Sequence, residues 1–292
     1  MMISPKKYNI EYFLFILPAF SLFTLFFIIP FFSGIYYSLT SWNGISPKKP
    51  FVGLRNYSML LGDRAFWASF RNTLVFTIAH VAIVNITALV MAFVLVKNIP
   101  LRKLFRCFFF LPNVFSLIIV GQIWSFLLGP VSYELGNLTN FSPLKIGWLS
   151  DPNIAIFSVV LASVWQAAGW YMLLFVAGLE AIPRDLYEAA TIDGAGETNQ
   201  FFSITIPLLV STLVICLFLS TINSLRVFDI VYSMTGGGPG RATETAILNI
   251  YDTTFNSFFY GYGTAKAVFL LVVIILISFM QIFFLQKREV KF

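Results

Sequence analysis

Charge is what this chain has least of. Of its 292 residues only 11% are Asp, Glu, Lys or Arg, against about 25% in soluble domains. That density cannot cover a water-facing surface, so a soluble globular fold is excluded. Cysteine is nearly absent as well. Cys107 and Cys216 lie far apart, each inside an apolar run, and they suit neither a metal site nor a redox pair; buried spectator thiols are expected. The chain has a single histidine, His80, with no Asp, Glu or Cys cluster beside it. It is therefore expected to be packed or hydrogen-bonded within its apolar run rather than to hold a metal or do catalysis. The only glycine-rich loop, Gly236 to Gly240, is not followed by Lys-Ser or Lys-Thr, so it is a turn and not a phosphate cradle. No cluster of nucleophile, base or metal ligands is visible, which argues against an enzyme. Internal repeats, low-complexity tracts and a separate soluble domain are also missing.

What the chain does have is hydrophobic length. It is 58% hydrophobic and 18% aromatic, with 34 phenylalanines. A helix needs about 20 residues, at about 1.5 Å each, to cross about 30 Å of hydrocarbon. Six runs are long enough: Tyr12–Tyr37, Asn72–Val96, Cys107–Gly129, Ile154–Leu179, Ile206–Ile230 and Ala267–Leu285. They are continuous rather than alternating, which excludes barrel strands. The expected fold is an all-α integral membrane protein with six transmembrane helices. The first run is too long for a signal-peptide core of about 7–15 residues and lacks a small-residue cleavage site, so it is expected to stay as an anchor.

The formal net charge of +6 points to lipid headgroups, not nucleic acid. With the N-terminus in the cytoplasm, ten flanking basic residues fall inside: Lys6, Lys7, Lys97, Arg102, Lys103, Arg106, Arg184, Lys287, Arg288 and Lys291. Eight fall outside, including Lys48, Lys49 and Lys266, and Arg226 lies within the fifth run. The local contrast is clearer. The short link after the second run carries four basic residues and the link after the third carries one, which places both termini and the segment after the fourth run in the cytoplasm. Of the outer connections, residues 38–71 carry Phe and Trp suited to the membrane interface, and residues 234–246 open on a breaker cluster and form a loop.

Between Glu180 and Gln200 the chain changes character, with five acids and one basic residue, Arg184. Pro183 suits a first helical position. Asp185 and Glu188 would sit near the positive end of the helix dipole. Ala189 and Ala190 are thin helix formers that admit a close neighbour, and Gly194 fits a left-handed cap. A short surface helix, a glycine turn and a second helix entering the fifth run are predicted. Two readings fit: a docking element for a partner, or a connector that returns the chain to the membrane.

Glu188-Ala189-Ala190, Asp193-Gly194-Ala195 and Ile204-x-Ile206-Pro207 resemble the EAA motif of ATP-binding cassette (ABC) importer permeases, with Ile206 where Leu is commoner. Leu179-Glu180-Ala181-Ile182-Pro183, Leu186-Tyr187 and Phe201-Phe202-x-Ile204 fit the same pattern. Gly53-Leu54-x-Asn56-Tyr57, Asn72-Thr73, Trp148-Leu149-x-Asp151-Pro152 and Gly237-Gly238-Pro239 resemble the carbohydrate branch of that family. The resemblance covers nearly the whole chain. It implies a type I importer permease fold and a subunit of the bacterial or archaeal cell (inner) membrane that makes and breaks no covalent bond. It also implies that Glu188, Ala189, Ala190, Asp193 and Gly194 form the coupling helix that docks in a cytoplasmic ATPase. The implied partners are an ATPase dimer, a second related permease and an external solute-binding protein. No cofactor is expected on this chain, since ATP would be bound and hydrolysed by the partner. The expected division is 1–71 as anchor and external loop, 72–285 as permease core with coupling segment 180–207, and 286–292 as a cytoplasmic tail.

Polar residues inside apolar runs mark either a path or helix–helix glue. The fourth run holds Trp165, Gln166, Trp170 and Tyr171; the fifth holds Asn223, Ser224, Arg226 and Asp229. A sugar needs hydroxyl partners and aromatic faces, and this set offers both. In maltose-type members of the family the sugar contacts lie at these depths, which singles out Gln166, Trp170, Asn223 and Ser224 for the substrate path. Arg226 and Asp229, three apart, are expected to pair. Rival readings are an ABC permease for another solute such as glycerol phosphate, and an ion-coupled secondary transporter using His80, Arg226 and Asp229.

Overall fold

The computed structural model describes residues 5–97 and 99–285. The expected tail 286–292, with Lys287, Arg288 and Lys291, lies outside the described residues. Hydrocarbon offers a backbone no hydrogen-bond partners, so each spanning segment must satisfy its own N–H and C=O groups as a helix. Fourteen α-helices occur among the described residues: α1 Pro5–Phe23, α2 Ile29–Ser38, α3 Arg55–Leu61, α4 Arg64–Val96, α5 Arg102–Val114, α6 Leu117–Phe126, α7 Ser132–Thr139, α8 Ala155–Glu180, α9 Arg184–Ile192, α10 Glu197–Gln200, α11 Ile206–Leu225, α12 Asp229–Met234, α13 Ala246–Tyr251 and α14 Tyr260–Leu285. Single π-helical turns join α1 to α2 and α10 to α11 without breaking the rod, whereas the turn between α6 and α7 is kinked at Gly129 (φ −91°, ψ −105°), just before Pro130. Six helical stretches are long and apolar enough to span a bilayer: Tyr12–Ser38, Arg64–Val96, Leu117–Thr139, Ala155–Glu180, Glu197–Leu225 and Tyr260–Phe283. The chain is thus an all-α protein with six membrane helices.

By its internal contacts the chain divides into two compact units. One comprises Met1–Asp63, as far as described, with Ile250–Leu271. Its first helix exposes Phe13, Phe15, Phe26 and Phe32, a surface that only lipid or a partner can cover. Past Ser38 the chain folds back through polar contacts. Asn56 Nδ2 donates to the Ser38 and Thr40 carbonyls, both at 2.8 Å, and Tyr57 Oη meets Ser38 Oγ at 2.7 Å. Trp42 stacks edge-on against Tyr260, and the Lys49 ammonium stands over the Trp42 ring, 4.5 Å from its centroid. Deeper lies an ion pair. Lys266, 3% exposed, reaches Asp63 at 2.9 Å, Tyr262 donates to the same carboxylate at 2.7 Å, and Thr253 Oγ1 accepts from the ammonium at 2.9 Å. A charge so buried is tolerated only when paired and fully hydrogen-bonded.

The other unit comprises Arg64–Asn249 and residues from Val272 onward, as far as described. At its centre α4 packs along α8. Ala88 and Ala92 on α4 and Ala162 and Ala168 on α8 are fully or nearly fully buried. Small residues let two membrane helices approach closely enough for dispersion contacts, since apolar side chains gain nothing by leaving lipid tails. Gly169 carries this furthest: a Cβ there would collide with the Phe109 carbonyl of α5. Interhelical hydrogen bonds add specificity. Asn85 Nδ2 donates to Ser220 Oγ at 2.9 Å, joining α4 to α11, and Gln281 on α14 donates to Thr221 at 3.2 Å. The loop 235–245 is tied down by Glu244, a buried carboxylate that accepts from Asn249 at 2.8 Å and pairs with Arg241. Asn72 Nδ2 donates to the carbonyls of both loop residues, and Thr73 Oγ1 accepts the Ala246 N–H at 2.8 Å.

Six expectations need correction. The second helix starts at Arg64, not Asn72; at 33 residues it is about 50 Å long, so its first turns reach past the hydrocarbon. The third span is Leu117–Thr139, not Cys107–Gly129. Phe115 and Ser116 are extended, so α5 is a separate helix; its Cys107 is exposed, against the expected burial of both thiols, and Cys216 is buried. The fifth helix ends at Leu225. Arg226 is therefore beyond the span, Asp229 opens α12, and the two do not pair. The sixth begins at Tyr260, which puts Lys266 inside the helix rather than in an outer loop.

Removing one partner of the buried pair leaves the other charge uncompensated. Lys266→Met is expected to destabilise the detergent-solubilised protein by about 3 kcal/mol, read from its unfolding midpoint. Lys266→Leu combined with Asp63→Leu is expected to recover most of that loss.

Candidate functional site

Two places carry the residues singled out by sequence. The first begins where α8 ends. Arg106 on α5 binds Glu180 at 2.6 Å and also donates to the Leu95 carbonyl near the end of α4 at 3.1 Å. Three helices are thereby joined at the base of the next segment. Pro183 is extended and stands just before the first helical residue instead of being it, since its fixed φ suits either position. Helix α9 then runs Arg184–Ile192 and stops on Gly194 at φ +79°. The Gly194 N–H reaches the Thr191 carbonyl at 3.0 Å and the Ala195 N–H reaches the Ala190 carbonyl at 2.8 Å, the two bonds of a Schellman cap. A side chain at Gly194 would meet open space, so the demand for glycine is conformational and not steric.

One face of α9 is bound to the fifth span. Tyr187 Oη lies 2.9 Å from Thr205 Oγ1, and Gln200 Nε2 donates to Thr191 Oγ1 and to the Ala195 carbonyl. The other face has no cover. Leu186, Glu188, Ala189, Asp193 and Gly194 are exposed, Ala190 is half-buried, and Ile192 is 87% exposed. The free side of this acidic helix thus presents small and apolar residues beside its carboxylates.

The second place is a cavity of about 550 Å³ within the unit built on α4 and α8. Gln166, Trp170, Asn223 and Ser224 all line it, joined by His80, Ser163, Tyr171, Arg226 and Asp229. Their mutual contacts are loose except one. Asn223 donates to Tyr171 Oη at 3.4 Å, and Gln166 donates to the Asn113 carbonyl at 3.4 Å. Trp170 meets Tyr171 edge-on at 5.1 Å. The firm contact is His80 Nδ1 to Ser224 Oγ at 2.8 Å. Weakly engaged amides and a phenol beside aromatic faces can exchange their protein contacts for a hydroxyl-rich guest at little cost. The broken backbone at 226–228, between α11 and α12, lines the same space. Irregular backbone at membrane depth is tolerated where it borders a cavity.

Trp165 lies apart from this set; it is exposed and packs on Trp124 at 5.8 Å. His80 and Ser163 were not anticipated as lining residues of the path; Tyr171 belonged to the polar and aromatic set of the fourth run but was not singled out. Ser163, Gln166 and Trp170 follow helical spacing, so the stripe was available in principle; His80 comes from another span and had no sequence neighbour to mark it. His80 and Ser224 do not make a hydrolytic centre. Ser224 Oγ also bonds the Ser220 carbonyl at 2.6 Å, and among the described residues no carboxylate orients the imidazole. No three His, Cys, Asp or Glu side chains converge among the described residues.

Comparison with known proteins agrees with this geometry. The model of the family described as binding-protein-dependent transport system inner membrane component matches residues 84–290. The chain is 38% identical to a probable starch degradation products transport system permease protein of Thermoanaerobacterium thermosulfurigenes, over 98% of this chain and 97% of that one. It is 40% identical to a trehalose/maltose transport system permease protein of Thermococcus litoralis, over 91% and 90%. Its fold matches a chain of a bacterial ABC transporter involved in the import of the acidic polysaccharide alginate, with a TM-score of 0.84, 22% identity and 96% coverage of both chains. Six membrane helices, an exposed capped helix between the fourth and fifth, and a match at this level over almost the full length leave one conclusion: the chain belongs to the family of binding-protein-dependent transport system inner membrane components.

Proposed function

We propose that the chain is one of two membrane-spanning subunits of an ATP-driven importer for carbohydrates, oligosaccharides in particular. The observation that carries this is the cavity beside α8, where Gln166, Trp170, Asn223 and Ser224 meet. Its amide, hydroxyl and aromatic groups suit neutral polyols, whose hydroxyls both donate and accept while their C–H faces lie on rings. Arg226 and Asp229 border the same space and their charges offset, which disfavours a phosphorylated guest. The names of relatives that handle starch degradation products and trehalose/maltose support the same substrate class.

In this reading the exposed face of α9 seats in a groove of a cytoplasmic ATPase, with Glu188 toward a basic partner, Ala189 and Ala190 at close approach, and Gly194 making the turn. ATP is bound and hydrolysed there, and this chain needs no cofactor. An external solute-binding protein delivers the sugar, and a second related permease completes the path. Closure of the ATPases pulls α9; the Arg106–Glu180 contact passes the motion into α5 and α8, and the helices rock between outward-open and inward-open states. Both termini and α9 face the cytoplasm.

Glu188→Lys and Gly194→Val are each expected to lower uptake more than tenfold with the protein still in the membrane; normal uptake in both would reject the coupling role. Trp170→Ala and Asn223→Ala should alter substrate preference or maximal rate, and if neither does, the partner permease holds the sugar. In a Cys107→Ser background, Ile192→Cys should react with an impermeant thiol reagent in inside-out vesicles and not in intact cells; labelling from outside would reverse the assigned orientation.

A further inference from the structure

A second cavity, about 860 Å³, opens where three spans reach one surface. Helix α4 ends at Val96, α8 ends at Glu180, and the fifth span begins at Glu197. Three cations border it: Lys97, Arg102 and Arg184. None of the three side chains makes a hydrogen bond or ion pair among the described residues. The acids nearby do not balance them. Glu180 is taken by Arg106 at 2.6 Å, which leaves Glu197 against three positive charges. At the edge of the hydrocarbon, uncompensated charge is costly, because the low dielectric strengthens every interaction and weakens hydration. Apolar residues also line it, Phe93, Leu179 and Phe201 among them, and Phe93 meets Phe201 at 5.0 Å.

A ligand that fits both the cations and the apolar lining has an anionic head and an apolar extension. A free phosphate would engage the cations and leave the rings uncovered. We infer that the cavity holds an anionic phospholipid of the leaflet on the α9 side. Its phosphate sits among Lys97, Arg102 and Arg184, and its acyl region lies against Phe93 and Phe201. Basic pockets between spans at a membrane surface are suited to such headgroups. Arg184 opens α9, and Tyr187 of the same helix also borders the cavity. The bound lipid therefore braces α9 against the ends of α4 and α5. This site is independent of what the central cavity carries.

The test is native mass spectrometry of the full-length chain released from vesicles of equal phosphatidylglycerol and phosphatidylcholine. The wild type should retain one phosphatidylglycerol in preference to phosphatidylcholine. The triple variant Lys97→Gln, Arg102→Gln, Arg184→Gln should bind it about a hundredfold more weakly. Glu197→Gln removes the opposing acid and should bind about fivefold more tightly, so the question stays answerable if the triple variant does not fold. Four results would overturn the inference: equal retention of the two lipids, retention unchanged in the triple and Glu197→Gln variants, displacement by millimolar inorganic phosphate, or a cavity filled by an acidic segment of a co-purified protein with no lipid retained.

Discussion

Hydrocarbon supplies no hydrogen-bond partner, and the rest of this structure follows from that single constraint. It forces every spanning segment into a helix and turns apolar side chains outward without penalty. Helix–helix association must then come from close backbone approach and from polar contacts. Ala88, Ala92, Ala162 and Gly169 provide the approach. Asn85 with Ser220, and Gln281 with Thr221, provide polar contacts that fix neighbours. Where the constraint is relaxed, irregular backbone appears. The break at 226–228 borders a cavity, and the glycine turn after α9 lies outside the spans.

The same constraint separates the two places on which the proposed function rests. The polar cavity lies within the unit built on α4 and α8, and α9 lies past the ends of the spans. What joins them is mostly α8, which lines the cavity with Gln166 and Trp170 and ends on Glu180 beside Arg106. Helix α8 runs unbroken from these mid-helix residues to Glu180 at its end, and in the proposed function this is the rod through which a pull on α9 reaches the sugar path. No relay of small local shifts is needed.

The sequence was most legible where a physical signal is local. Six apolar runs became six spans because length and hydropathy are local properties. The cap at Gly194 was readable because Asp-Gly after an alanine-rich helix has few other uses. The third span is misplaced in the sequence because Cys107 to Gly129 looks uniformly apolar; the break at Phe115 and Ser116 leaves no mark in that composition, and α5 packs separately against α8 at Gly169. Lys266 was assigned to a loop because a charge normally ends a span. Its partner Asp63 is some two hundred residues away, too far for any window to see. Arg226 and Asp229 were expected to pair by helical spacing, and that geometry vanished when the helix ended between them.

The paired motifs show the same division. Asn72-Thr73 and the loop after Gly237 are each recognisable as strings, but only the fold reveals that Asn72 and Thr73 hold that loop. By itself the sequence determined that the chain lives in lipid, that it spans six times, and that a short acidic helix closed by a glycine turn follows the fourth span; each follows from the composition of a short stretch. The tertiary structure alone decided that Gln166, Trp170, Asn223, Ser224 and His80 share one cavity, that Lys266 can be buried, and that three cations converge near α9. Those outcomes depend on which helices pack side by side, and packing between distant segments leaves no periodic trace in either of them.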